Sequence, residues 1–82
     1  MTFQVFWFEV PTNLKHRRIF GEALRVHRKK AGLSQEKLAE KADLHPVYVS
    51  AVERGVKTIS MDAVMRISKA LNVRLRDLVA DL

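Results

Sequence analysis

The chain has 82 residues, no cysteine and a formal net charge of +6, which leaves room for one domain and excludes a disulfide framework and any zinc site built on thiolates. A chain this short buries only roughly 60–65% of its unfolded surface, so close helix packing, with a partner subunit as a further source, has to supply its stability. The charge is regional: from Lys15 to Lys37 eight Lys or Arg stand against two Glu, 38–57 is balanced, and the residues beyond add a net +1. Such a block either faces a polyanion, whose phosphates it attracts, or is simply a solvated surface. One apolar run, Thr2 to Val10, contains Glu9 and has no basic flank before it. It is too short to span a membrane and wrongly flanked for a secretory signal, so a cytoplasmic protein without a membrane partner is expected.

In chain order, Phe3 to Val10 is rich in aromatic and β-branched residues and is closed by Pro11, the pattern of a short strand. In an otherwise helical chain such a strand has no hydrogen-bonding partner. It packs as an arm, pairs with the same segment of a second subunit, or is disordered. Residues 1–13 are accordingly set apart as an extension, with Pro11-Thr12-Asn13 as a linker, and residues 14–82 as the domain.

From about Arg17 the apolar period becomes helical, through Phe20, Ala23, Leu24, His27 and Ala31, and Gly32 stops this helix. Ser34 caps a second helix with Glu36 in its first turn and Leu38, Ala39 and Ala42 on its buried face. Asp43-Leu44 forms a tight turn, and Pro46 suits the first position of a third helix, where a missing N–H costs nothing. Val49 and Val52 face inward there and Gly55 ends it. Ser60 caps a fourth helix striped by Val64, Ile67 and Leu71, with Asn72 in the left-handed C-terminal position and Val73 folding back. A last helix carries Leu75, Leu78, Val79 and Leu82. The expected architecture is all-α: five helices joined by short connections, preceded by a strand-like extension.

The second and third helices, joined through Asp43-Leu44-His45, form a unit in which the later helix can enter a DNA major groove while the earlier one lies across it. Three further pieces add to this pattern: Gly32-Leu33-Ser34-Gln35-Glu36-Lys37-Leu38-Ala39; Tyr48-Val49-Ser50 with Glu53-Arg54-Gly55 and Ser60; and Ile67 to Val73. Together they resemble the phage repressor/Cro helix-turn-helix family, which includes the xenobiotic-response-element-type regulators. Within it, Tyr48-Val49-Ser50, Glu53-Arg54-Gly55 and Ile59-Ser60 are similar to the controller proteins of restriction–modification systems.

The resemblance implies a sequence-specific regulator of transcription that binds double-stranded DNA, as a homodimer on a two-fold operator. It implies base reading by His45, Pro46, Val47, Tyr48, Ser50 and Ala51 at the start of the third helix. Backbone contacts fall to Arg28, Ser34, Gln35, Arg54, Lys57 and Thr58, and an ion pair joins Arg28 to Glu53. Charge logic supports the pair, because a carboxylate near a helix C-terminus sits badly with the dipole unless a cation compensates. Pro46 and Val47 depart from the polar residues the family commonly carries there, and neither makes the bidentate contacts that identify guanine or adenine. Thymine methyls and DNA shape remain for them to read. Tyr48 either reads bases or packs against its own domain.

Apolar surplus at both ends points to the dimer interface: Phe3, Val5 and Trp7, with Leu75, Leu78, Val79 and Leu82. His16, His27 and His45 lack ligand spacing, and no nucleophile–base set or phosphate loop occurs, so no metal, cofactor, small-molecule ligand or enzymatic activity is expected. The competing reading is an antitoxin or helix-turn-helix adaptor acting on a protein partner such as a toxin or the polymerase, with the N-terminal strand adding to a partner's sheet.

Overall fold

A computed structural model describes the backbone of residues 5–82 and the side chains of residues 14–82. Five helices follow one another among the described residues: α1 (Val5–Lys30), α2 (Gln35–Ala42), α3 (Pro46–Glu53), α4 (Met61–Leu71) and the single turn α5 (Leu75–Leu78).

The strand expected over Phe3 to Val10 is corrected from Val5 onward, where the backbone is already helical; Phe3 lies outside the described residues. The physical reason is the backbone itself. A helix satisfies its own N–H and C=O groups, which a strand without a neighbour leaves unpaired. The last helix is also shorter than its apolar spacing implies, since α5 ends at Leu78 and Leu82 lies beyond it.

Local rules fix the helix starts. The hydroxyls of Ser34 and Ser60 accept from the amides of Lys37 at 3.0 Å and Ala63 at 3.1 Å, and Asp62 sits in the positive first turn of α4. Helix α3 begins on Pro46 and is capped by His45, whose Nδ1 accepts from the Val47 amide at 3.1 Å. The ends share one device. Gly32, Asp43, Gly55 and Asn72 have φ of 73°, 57°, 76° and 57°. After each, an amide reaches the carbonyl five residues back: Leu33 to Arg28, Leu44 to Ala39, Val56 to Ala51 and Val73 to Ser68. The left-handed residue turns the chain while the backward bond satisfies an otherwise orphaned carbonyl. Arg66 fastens one of these turns to α4, donating to the Asp43 carbonyl at 3.0 Å and pairing with Asp62 at 2.6 Å.

The core gathers Phe20 and Leu24 from α1, Leu38, Ala39 and Ala42 from α2, Val49 and Val52 from α3, Val64, Ile67 and Leu71 from α4, and Leu78 from α5. Each buried stripe follows the spacing that puts side chains three and four apart on one face. Ala31, placed on the α1 stripe by its spacing, is instead exposed in the turn that follows the helix. Leu78 is 1% exposed in its own subunit, so its assignment to a dimer surface is corrected. The fifth helix has to cover the bottom of the core with something, and Leu78 is what it uses.

Gly21 sets the approach of α1 to α3. A Cβ at this position would sit 2.5 Å from the carbonyl oxygen of Glu53 and closer still to that of Val52. The glycine therefore lets the first helix lie directly on the C-terminal carbonyls of the third.

Candidate nucleic-acid interface

Three helices meet at one carboxylate. Glu53, at the last position of α3, accepts from Arg28 Nε at 2.6 Å and Nη2 at 3.0 Å, a two-point pairing that matches the planar guanidinium to the carboxylate. Arg28 Nη1 donates to the Leu33 carbonyl at 2.8 Å, just before α2. Gln35 Nε2, from the first turn of α2, donates to Glu53 Oε1 at 2.9 Å. The side chains of Arg28 and Glu53 are 9% and 3% exposed. The carboxylate raises the Arg28 pKa above its ordinary value, chiefly through the hydrogen bond, with burial opposing it. A raised pKa on a cation means that the stabilisation is complete below the ordinary guanidinium range and is lost only above it. Deprotonation of Arg28 therefore does not break the pair at neutral pH.

The ion pair that the resemblance implies, and that the helix dipole supports, is present. Arg28 as a phosphate contact is corrected, because the residue is 7% exposed and its fork is committed within the fold. The bond from Gln35 to Glu53 has no sequence signal beyond the residue types. An amide nitrogen carries two hydrogens; one of Gln35's is committed to Glu53, which leaves the side chain aimed and the second donor uncommitted among the described residues.

The outer face of α3 is set by the same anchoring. Val47 is 67% exposed, Arg54 is exposed, and Pro46 and Ser50 are half-buried. His45 is exposed at the helix start, as is Ser34 at the start of α2, and Lys57 and Thr58 are exposed in the loop after α3. Ala51 is 9% exposed. Its methyl group lines a shallow depression together with His45, Val47, Tyr48 and Lys57, so any base contact it makes is to an apolar group at the floor of that depression.

Tyr48 takes a role that spacing did not disclose. Its hydroxyl accepts from the Ser60 amide at 3.2 Å and donates to the Thr58 carbonyl at 3.5 Å. It clasps the loop between α3 and α4 and thereby holds Lys57 and Thr58 beside the exposed face. Of its two readings from sequence, packing against its own domain is the one this geometry favours.

A second surface adjoins this face through Lys57 and Thr58, which lie on its edge. A groove of about 290 Å³ runs between α1, α4 and α5, with Phe20, Ile59, Met61, Leu75, Val79 and Leu82 among its lining. Met61, Met65 and Leu82 are 70%, 43% and 54% exposed. Leu75, Val79 and Leu82 from the expected dimer set belong here; Val5 and Trp7 have side chains outside the described residues.

Among the described residues no helix is long and apolar enough to cross a membrane. A helix-turn-helix family model, HTH_3, matches residues 24–78. The control protein C.BamHI of Bacillus amyloliquefaciens is 45% identical over 64 residues, 77% of this chain and 79% of that protein. The crystal structure of the restriction-modification controller protein C.AhdI from Aeromonas hydrophila is 39% identical, with a TM-score of 0.74 over 76% of this chain and 94% of that one. The clp gene regulator ClgR from Corynebacterium glutamicum is 33% identical, with a TM-score of 0.75 over 78% of this chain and 68% of that one.

Proposed function

The chain belongs to the helix-turn-helix family HTH_3, and from that premise we propose that it is a homodimeric DNA-binding regulator of transcription of the restriction–modification controller kind. One observation carries the mode of binding: Glu53 is tied inward to Arg28 and Gln35, while Val47 on the same helix and Arg54 at its C-cap are exposed and Ser50 is half-buried. Helix α3 enters the major groove. Ser34 and the second donor of Gln35 meet the phosphate backbone at the start of α2, and Arg54, Lys57 and Thr58 meet it where α3 ends. Its work is non-enzymatic and is done in the cytoplasm, where the DNA is. Relatives named as control proteins favour this over an antitoxin or adaptor that acts mainly on other proteins.

Salt titration tests it. The logarithm of duplex affinity should fall linearly with the logarithm of salt, by about 0.9 per phosphate neutralised. Lys57→Ala should reduce that slope by about one and weaken all sequences alike. Binding that ignores salt would refute the regulator, and an unchanged slope in the variant would remove Lys57 from the contacts.

A second copy occupies the apolar groove in this proposal. Met61, which lines the groove, and Met65 are one turn apart on α4 and both exposed, and exposed patches of this kind mark association sites. The chain should sediment as a dimer at micromolar concentration. Met61→Glu, at a position already open to solvent, should shift it to monomer while the helical spectrum stays unchanged. A variant dimer as tight as the parent would place the interface elsewhere.

A further inference from the structure

The tip of α3 is apolar where it is most open, and the shape around it has a use. Val47 is 67% exposed and forms one wall of a shallow, open depression of about 370 Å³, with Ala51 at its floor and His45, Tyr48 and Lys57 around it. Tyr48, Ala51 and Pro46 offer no polar contact to a base in place of Val47. The Tyr48 hydroxyl is engaged by the Ser60 amide, and the Ala51 side chain ends at a methyl. Pro46 offers no N–H donor. Lys57 at the rim supplies the charge that would hold a phosphate beside the depression.

We propose that this depression is a receptor for the C5-methyl group of a pyrimidine in the major groove, thymine in unmodified DNA. This deepens the proposed function and rests on it. In the major groove thymine presents a methyl beside the O4 acceptor, and no other unmodified base presents a methyl there. The methyl lies against Val47 and Ala51. His45 adds the polar half. Because its Nδ1 accepts from the Val47 amide, the neutral ring carries its proton on Nε2, a donor suited to O4. The recognised chemistry is the methyl, so 5-methylcytosine, which carries the same group at the same place, fits the apolar half of the receptor as well.

The test begins by selecting the preferred duplex from a random pool. Each thymine is then replaced singly by deoxyuridine, which deletes the methyl and nothing else. At one position per half-site the parent protein should lose about four-fold in affinity, the value of one buried methyl group. Val47→Ala should bring that loss to within about two-fold. With cytosine placed at the same position, 5-methylation should recover about four-fold for the parent and little for Val47→Ala. Failure to enrich any sequence would count against the regulator itself. An enriched sequence that tolerates deoxyuridine at every position would overturn the methyl receptor alone, as would a deoxyuridine loss that persists undiminished in Val47→Ala.

Discussion

Replacing Glu53 by Ala is expected to lower stability by about 3–5 kcal/mol, the range found when one partner of a buried ion pair is removed and the other charge is left behind. Arg28 is 7% exposed and would keep only the Leu33 carbonyl as a partner. A domain of this size has roughly 4–12 kcal/mol in total, at about 0.05–0.15 kcal/mol per residue. The variant should therefore be largely unfolded at moderate temperature. Denaturant unfolding measures this, and a midpoint unmoved from the parent's would show that the pair contributes nothing. The double variant Arg28→Met/Glu53→Leu separates stability from aiming. An apolar pair of similar volume should recover most of the stability, yet leave Gln35 without the acceptor that orients it. Duplex affinity should stay below the parent's in that folded double variant. Full recovery would mean that Gln35 needs no orienting.

Gly21→Ala is the second large effect. Its added Cβ would meet the carbonyl oxygens of Val52 and Glu53, which are backbone and cannot rotate aside. Alanine is the better helix former by about 1 kcal/mol, so local propensity predicts a gain. The clash is larger: overpacking typically costs about 1–3 kcal/mol, occasionally more, and here two carbonyls obstruct one methyl. Set against that gain, a clash at the upper end of this range leaves a net loss of about 1–2 kcal/mol, roughly 4–16 °C in Tm for a domain of this length. Calorimetry decides, since a raised Tm would show that α1 can back away from α3 at little cost. The glycine also positions the pair next to it, because the helix it brings close is the one that carries Glu53.

What the sequence discloses and what it conceals divide along physical lines. Ser34, Ser60, Pro46, Gly32 and Asn72 act within a few residues of themselves, and the helix boundaries they mark are the observed ones to within a residue or two. The stripes Leu38, Ala39, Ala42 and Val64, Ile67, Leu71 are equally legible, because burial follows the helical period. Val5 to Val10 misleads because β-propensity describes a fit to a neighbouring strand, and no strand occurs among the described residues. Leu78 and Leu75 look alike as apolar residues on one short helix, yet only the first is wholly enclosed. Periodicity finds a buried face without saying whose core buries it. The Arg28–Glu53 pair is legible through the family resemblance; the helix dipole says only that the Glu53 carboxylate needs a cation, not which one. Its third member is not legible, since Gln35 lies 18 positions from Glu53 and nothing local ties them. The Tyr48 clasp on Ser60 is hidden for the same reason. Gly21 is the signal most open to reading, because a glycine inside a helix asks for a packing reason.

The carboxylate shared by Arg28 and Gln35 has a kinetic consequence. It fixes α2 and α3 against α1 before any DNA arrives, so docking requires no folding step and no slow rearrangement of the unit. Association is then governed by diffusion and by the pull of the cationic surface, and should accelerate sharply as salt is lowered. Residence time is a separate quantity, which in the proposed mode of binding would be decided by the short-range fit of a few small apolar groups at the tip of α3. A regulator built this way would find DNA quickly through its charge, and would leave wrong sequences quickly because their edges offer nothing for Val47 to hold.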